Sequence, residues 1–178
     1  GFHLSMKMLK IPKIKIYGLD NLNNYYDVKL KRKRLNILKK NSKSNFYFKK
    51  IDLSDSSSLH SFFKKNKFTH VINLAAQAGV RYSITNSKSY LESNIIGFYN
   101  ILEFSKKFKI KHLIYASTSS VYGGSKKFPL KETYNTDFPL SFYAATKKSN
   151  EVMAHSYSYI FKLPCTGLRF FTVYGPFG

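Results

Sequence analysis

The chain alternates, from one end to the other, short β-rich segments with longer segments of helical periodicity, and this alternation limits the possible fold more than any other feature. "KIKIYGLD" (Lys13 to Asp20), "FYFKKIDLSD" (Phe46 to Asp55), "THVINLAA" (Thr69 to Ala76), "KHLIYASTSSVYG" (Lys111 to Gly123) and "TGLRFFTVYG" (Thr166 to Gly175) read as strands. Between them, "VKLKRKRLNILKK" sets Val28, Leu35 and Leu38 at helical spacing against a lysine face, and "SSSLHSFFKKN" opens a helix with a serine cap. "SYLESNIIGFYNILEFSKKF" reads as one long helix, and a last helix runs from Phe142 to about Phe161. The expected fold class is α/β, a doubly wound parallel sheet. In such sheets ligands bind beyond the carboxyl ends of the strands, where Asp20, Asp52, Ala75 to Gln77, Ser117 to Ser120 and Thr172 stand.

With 43% hydrophobic content, 178 residues suffice for one core, and neither an internal repeat nor a long linker divides the chain. Residues 1–178 are therefore expected to form one domain. A net charge of +21 raises nucleic acid or an anionic membrane as a partner. The excess is nearly all lysine, however, and only Arg32, Arg34, Arg81 and Arg169 could read bases or clamp phosphates bidentately. Abundant Lys, Asn, Ile, Phe and Tyr together fit A/T-rich codon usage, so the lysines read as a solvated surface, with no nucleic-acid and no membrane partner expected. The aromatic residues fall among β-branched ones on the strands and read as core. Cys165 is the one cysteine and reads as a small buried hydrophobe; the histidines lack metal-ligand spacing, and no metal site is expected. No apolar run has the length of a membrane span and no signal peptide is visible, which leads to a cytoplasmic expectation.

Chemistry enters with "FYAATKKSNE" (Phe142 to Glu151). Residues four apart share a helical face, so Lys147 stands beside Tyr143, where an ammonium would favour the phenolate and turn the tyrosine into a general base. "YASTSSVYG" ends a buried strand in a run of hydroxyls that could hydrogen-bond the same substrate oxygen. Asp20 and Asp52 close successive strands, where a carboxylate can accept from ribose hydroxyls and repel the extra phosphate of NADP. In "NLAA", small residues let backbone approach a ligand closely.

The ordered set "DNLNNYYD", "DLSD", "NLAAQAGVRYS", "SNIIGFYNILE", "YASTSSVYG", "YAATK" and "RFFTVYGP" resembles the nucleotide-sugar epimerase and dehydratase branch of the extended short-chain dehydrogenases/reductases across essentially the whole chain. The resemblance implies a Rossmann-like NAD-binding domain. "GFHLS" is similar to the stretch from the third glycine of that family's phosphate-binding turn, so the first strand and the C-terminal substrate-binding portion are expected to lie outside this sequence, leaving strand edges open. It further implies Tyr143 as base, Lys147 as its ribose-binding partner and Thr118 as the hydroxyl that meets the sugar 4-hydroxyl. Gly1, Asp20, Asn23, Asp52, Leu53, Ala75, Ala76, Asn94 and Ser117 are implied for the cofactor, with Tyr143 and Lys147. Gln77, Thr118, Ser119, Ser120 and Thr172 are implied for the sugar. Members of the family usually dimerise through the helices after "NLAAQ" and at "YAATK", so a homodimer is expected.

Dehydratases of this branch carry an Asp-Glu pair before "VYG", where this chain has Ser119 and Ser120. Elimination then lacks its proton shuttle, and 4-epimerisation of a UDP-sugar with NAD is the implied activity, with UDP-glucuronate the expected substrate. UDP-glucose or a UDP-N-acetylhexosamine is the alternative within the class. An inactive remnant or a basic nucleic-acid binder is the alternative outside it.

Overall fold

A computed structural model describes residues 1–177, and the chain divides into two compact units, residues 1–52 with 174–177 and residues 53–173. In the first unit, helix α1 (Phe2–Met8) packs on α2 (Val28–Asn41), and strands β1 (Ile16–Asp20) and β2 (Phe46–Lys50) pair in parallel. The register runs from Ile16 opposite Phe46 to Asp20 opposite Lys50. Asp27 starts α2 by accepting from the Lys29 amide at 2.7 Å, and Leu38 is the buried residue of its apolar face.

The second unit carries a parallel sheet in the order β3–β4–β5, formed by His70–Asn73, His112–Thr118 and Cys165–Phe170. The β3 to β4 crossover holds α4 (Tyr82–Thr85), α5 (Ser87–Tyr90), a π-helical turn (Leu91–Ile96) and α6 (Gly97–Lys107). The β4 to β5 crossover holds a 3₁₀ turn (Ser119–Tyr122) and the twenty-residue α7 (Phe142–Phe161). Parallel strands need such covering helices, and one face of β4 is enclosed accordingly: Leu113 is fully buried and Tyr115 nearly so, while Ile114 and Ala116 on the opposite face are half-buried. α3 (Ser56–Lys65) packs on α6 through Phe63 and Phe104, with ring centroids 5.7 Å apart. Leu59, Phe98, Ile101, Leu102 and Val121 complete a core in which each fully buried large apolar side chain contributes about 1.5–3 kcal/mol.

The parallel Rossmann-like α/β class read from the sequence is what forms. Its strands make two separate ladders, and β1, β2, β3 and β5 each keep one edge without a ladder partner among the described residues, open edges of the kind expected above. Several extents differ. The strand expected from Lys111 to Gly123 stops at Thr118, because the Thr118 hydroxyl accepts from the Ser120 amide at 3.2 Å and turns the chain into the 3₁₀ segment. That segment ends at Gly123, whose φ of +59° and a would-be Cβ 2.3 Å from the Phe138 carbonyl oxygen admit only glycine. The single long helix expected from Ser89 to Phe108 contains the π turn instead. α3 is capped by Asp55 and not by serine: its carboxylate accepts from the Ser58 amide at 3.0 Å and the Ser57 hydroxyl at 2.8 Å, and the Ser58 side chain, then these two, hold its pKa down at about 2. No helix among the described residues is long and apolar enough to cross a membrane.

Candidate active site

Ser141 fixes the start of α7 by accepting from the Ala144 amide at 3.1 Å, so that Tyr143 falls in the first turn and Lys147 one turn on. β4 delivers Ser117 and Thr118, both buried, to the same region from the sheet side. The Thr118 hydroxyl faces the Tyr143 phenol and favours its ionised form. Tyr90, fully buried, packs edge-on against the Tyr143 ring at a centroid distance of 6.0 Å and donates to the Ala78 carbonyl at 2.7 Å. Tyr143 is thus held between the end of β4 and the loop that follows β3.

Lys147 is the least ordinary of these residues. Its side chain is only 3% exposed, and no protein acceptor hydrogen-bonds its ammonium among the described residues. Burial brings its pKa down to about 8, against the pull of Glu151 in the other direction. The expectation that Lys147 lowers the Tyr143 pKa does not hold in this structure. Burial pushes the phenol up and only Thr118 opposes it, because the cost of desolvating a phenolate outweighs a cation that makes no contact with it.

Glu151 was not singled out from sequence. It lies one turn beyond Lys147, accepts from the Ser117 hydroxyl at 2.6 Å and takes a bidentate pair from Arg169 on β5 at 2.9 Å through both Nε and Nη2. Burial would raise its pKa, but Arg169 and Ser117 hold the carboxyl below its ordinary range. The Lys147 to Glu151 spacing of four was the available signal.

Asn94 sits in the π turn, 2% exposed, with its side chain committed to the protein. It accepts from the Gln77 amide at 2.8 Å and donates to the Gln77 carbonyl at 3.0 Å and the Thr146 hydroxyl at 3.1 Å, while its own carbonyl accepts from Asn150 at 2.6 Å. This staple joins the loop after β3 to α7 and buries Gln77. In that loop Ala75 is exposed and Ala76 half-buried. Ser119 and Ser120 are half-buried in the 3₁₀ turn, and Thr172 is exposed beyond the end of β5. The Leu53 carbonyl accepts from Asn100 at 2.8 Å, and the Leu53 side chain lies against Gly97, where an added Cβ would be 3.0 Å from it.

The other implied residues belong to the first unit. Asp20, at the carboxyl end of β1, accepts from the Leu22 amide at 2.6 Å and is 4.0 Å from the Lys31 ammonium. Lys31, also missed from sequence, donates to the Asn23 side chain at 2.9 Å and carbonyl at 3.0 Å. Asn21 donates to Asp52 at 2.8 Å, so Asp20, Asn23 and Asp52 are brought together at one end of the β1–β2 ladder. Gly1 caps α1, and a Cβ there would meet nothing within 4 Å. No cluster of metal-ligating side chains occurs among the described residues.

Comparison with known proteins gives a consistent result. "Protein CapI" of Staphylococcus aureus is 54% identical over 178 residues, covering 100% of this chain and 52% of that protein. UDP-glucuronate 4-epimerase 1 of Arabidopsis thaliana is 48% identical over 179 residues, covering 100% of this chain and 41% of that protein. The chain thus spans about half the length of the curated relatives it matches. Among solved structures, UDP-glucuronic acid 4-epimerase from Bacillus cereus, in complex with UDP-glucuronic acid and NAD, superposes with a TM-score of 0.89 at 34% identity, over 99% of this chain and 54% of that one. UDP-glucose 4-epimerase from Thermotoga maritima, with UDP-glucose, gives 0.85 at 30% identity, over 99% and 53%. The sequence profile of the GDP-mannose 4,6 dehydratase family matches residues 1–178, and the chain belongs to that family, within the epimerase and dehydratase branch of the extended short-chain dehydrogenases/reductases.

Proposed function

We propose that the full-length protein is an NAD-dependent UDP-sugar 4-epimerase that interconverts UDP-glucuronate and UDP-galacturonate. The observation that carries this reading is the triad of Tyr143, Thr118 and Lys147, with the phenol facing the threonine hydroxyl and a buried ammonium that has no acceptor of its own. A cation on a side chain so largely buried gains from a ligand that brings acceptors to it, and a ribose diol does so. In the first unit, the carboxylate of Asp20 accepts one backbone amide and is half-exposed, which suits it to accept from a second ribose. Each unit by itself carries groups suited to NAD: Gly1, Asp20, Asn23 and Asp52 in the first, and Leu53, Ala75, Ala76, Ser117, Tyr143 and Lys147 in the second, with Asn94 shaping the loop after β3.

When bound, NAD takes the hydride from the sugar C4, returns it to the opposite face of the ring, and so ends each cycle in its starting redox state. Tyr143 removes the proton of the 4-hydroxyl as that C–H bond breaks, and gives it back when the 4-keto sugar is reduced. Thr118 hydrogen-bonds the same oxygen, orients it and favours the phenolate, and Lys147 holds the ribose. Gln77, Ser119, Ser120 and Thr172 are assigned to the sugar.

The carboxylates argue for epimerisation over elimination. Dehydration needs an acid beside the sugar, yet Ser119 and Ser120 stand there and Glu151 is already bound by Ser117 and Arg169. UDP-glucuronate is supported by the likeness to proteins named for it, at 48% identity to the Arabidopsis thaliana relative and 34% to the Bacillus cereus one. Exposed Leu91, Ile96 and Tyr99, with Val152, Tyr159 and Ile160 on α7, support pairing of the full-length protein as a homodimer. The test is proton NMR of UDP-glucuronate incubated with the full-length protein and no added reductant. UDP-galacturonate should form, and Tyr143→Phe should abolish its formation. Conversion of UDP-glucose or UDP-N-acetylglucosamine instead would overturn the substrate and keep the reaction, whereas no turnover of any would overturn both.

A further inference from the structure

We propose that Arg169 is a positioning residue: its guanidinium braces the 3₁₀ turn and the segment leading into α7 against the sheet, and so keeps the sugar seated between Thr118 and Tyr143 while it is a ketone. The part played in turnover rests on the proposed function; the bracing does not. Arg169 stands on β5 directly opposite Ser117 of β4 in the ladder. The Glu151 carboxylate accepts from the Ser117 hydroxyl at 2.6 Å and from Nε and Nη2 of Arg169 at 2.9 Å, so neighbouring positions on two strands are tied to one point of α7. Glu151 lies two turns beyond Tyr143 and one beyond Lys147, on the helical face that carries both. The pair thus seats that face of α7 on the end of β4.

The guanidinium reaches further than Glu151. Its Nη1 donates to the Glu132 carbonyl at 3.0 Å, and its carbon lies 4.9 Å from the centroid of the Tyr122 ring, the last residue of the 3₁₀ turn. Glu132 belongs to residues 123–141, which join that turn to α7 without helix or strand. Thr136 is the one buried residue of this segment, whereas its Phe128, Phe138 and Leu140 are exposed. Apolar burial therefore does little to hold it, and between its ends two cations do so instead. Lys148 meets the Thr136 hydroxyl at 2.6 Å and Asp137 at 3.4 Å, but Lys148 is part of α7 itself. Arg169 is the cation that ties the segment to the sheet. Lysine cannot substitute for it, because an ammonium is a single point and this site uses Nε, both terminal nitrogens and the flat face at once. Midway through epimerisation the sugar has given a hydride to the cofactor and a proton to Tyr143. Ser119 and Ser120, on the turn that Arg169 braces, must retain the 4-ketone until both return; a loosened turn releases it and leaves NADH behind.

The experiment compares full-length wild type with Arg169→Lys, and with Ile110→Val as a stability control, since Ile110 is buried beside the opposite end of β4. During turnover of UDP-glucuronate the wild type should show no build-up of NADH absorbance. Arg169→Lys should lower kcat about tenfold to a hundredfold, keep NAD affinity within about threefold, and accumulate NADH together with an equal amount of free 4-keto sugar, measured by mass spectrometry. Ile110→Val should do none of these. Hydrogen exchange of the cofactor-free proteins gives a readout apart from activity: amides of residues 119–136 should exchange faster in Arg169→Lys, with β3 and α6 unchanged. An arginine that only stabilises the fold predicts unchanged kcat and no NADH per folded molecule; that result, or wild-type exchange across residues 119–136, would overturn the proposal. A wild type that converts no UDP-sugar would refute the proposed function and with it the role in turnover, and the exchange data would then decide the brace alone.

Discussion

Replacing Lys147 by methionine should make the protein more stable and inactive at once. The folded lysine sits at about 8 against an ordinary value of 10.5, a gap of about 2.5 pH units. At about 1.4 kcal/mol per unit, burial of this ammonium costs folding about 3 kcal/mol wherever both folded and unfolded chains hold the proton, which is below pH 8. Between about pH 8 and 10.5 the unfolded chain binds more protons than the folded one, so wild-type stability rises with pH and the cost disappears above both values. Methionine has a comparable volume, no charge and a flexible chain suited to the same space. The folded value already includes the pull of Glu151, and imperfect packing of the methionine returns part of the gain, which leaves about 2 kcal/mol or somewhat more at pH 7. With about 2–4 °C per kcal/mol for a domain of this size, Lys147→Met should melt roughly 4–10 °C higher at pH 7 and converge on the wild type by about pH 10. Calorimetric melts of the cofactor-free full-length protein at pH 7, 8.5 and 10 measure this. A variant less stable than wild type at pH 7, or a difference that ignores pH, would refute the description of Lys147 as a desolvated, unpartnered cation.

Two substitutions probe the frame and the first unit. Gly123→Ala should cost at least about 2 kcal/mol in urea unfolding, since the new Cβ meets the Phe138 carbonyl oxygen in a backbone region alien to L-residues. Asp20→Asn should weaken NAD about tenfold or more in calorimetry while leaving the melt of the cofactor-free protein within about 1 kcal/mol of wild type, because charge-assisted hydrogen bonds from a ribose are lost and Asp20 is half-exposed; equal NAD affinity would remove Asp20 from the cofactor site.

The alternation of periods made the parallel α/β class legible, and two helices were legible nearly to the residue, α2 from Val28 and α7 from Phe142 to Phe161. Both have a cap residue immediately before an apolar stripe, Asp27 and Ser141. What escaped was decided by side chains bonding backbone at a distance that periodicity does not see. Thr118 ends β4 five residues before the β-rich run gives out, and Asp55 outcompetes the serines for α3 because a charged acceptor binds the Ser58 amide more strongly than a hydroxyl does. α1 lacks a buried residue altogether and so left no apolar pattern to read. The π turn adds a single residue to a helix whose apolar periodicity continues on both sides. In the site, Tyr143, Lys147 and Thr118 stand out because hydroxyls and a lysine are unusual beside buried apolar runs. Glu151 and Arg169 did not, since their partnership spans 18 residues and each alone looks like surface charge.

The buried polar groups around α7 bear on why Lys147 is where it is. A helix that merely covered a sheet would carry apolar residues at 146, 147 and 150, the positions that face inward. This one carries Thr146, Lys147 and Asn150, each under 4% exposed. Thr146 donates to the Tyr143 carbonyl at 2.7 Å and accepts from Asn94, and Asn150 donates to the Asn94 carbonyl while its Oδ1 is buried without a partner, so both tie α7 to the π turn through the bonds they make. Matched buried polar groups fix one register of helix against sheet, since any slip leaves them unsatisfied at about 1–3 kcal/mol each. That register sets Tyr143 opposite Thr118. Among the described residues no acceptor hydrogen-bonds the Lys147 ammonium, and the pull of Glu151 only partly offsets its burial. On the proposed function, a ligand's hydroxyl oxygens complete that ammonium, and the frame of Asn94, Thr146 and Asn150 fixes the helix that carries it.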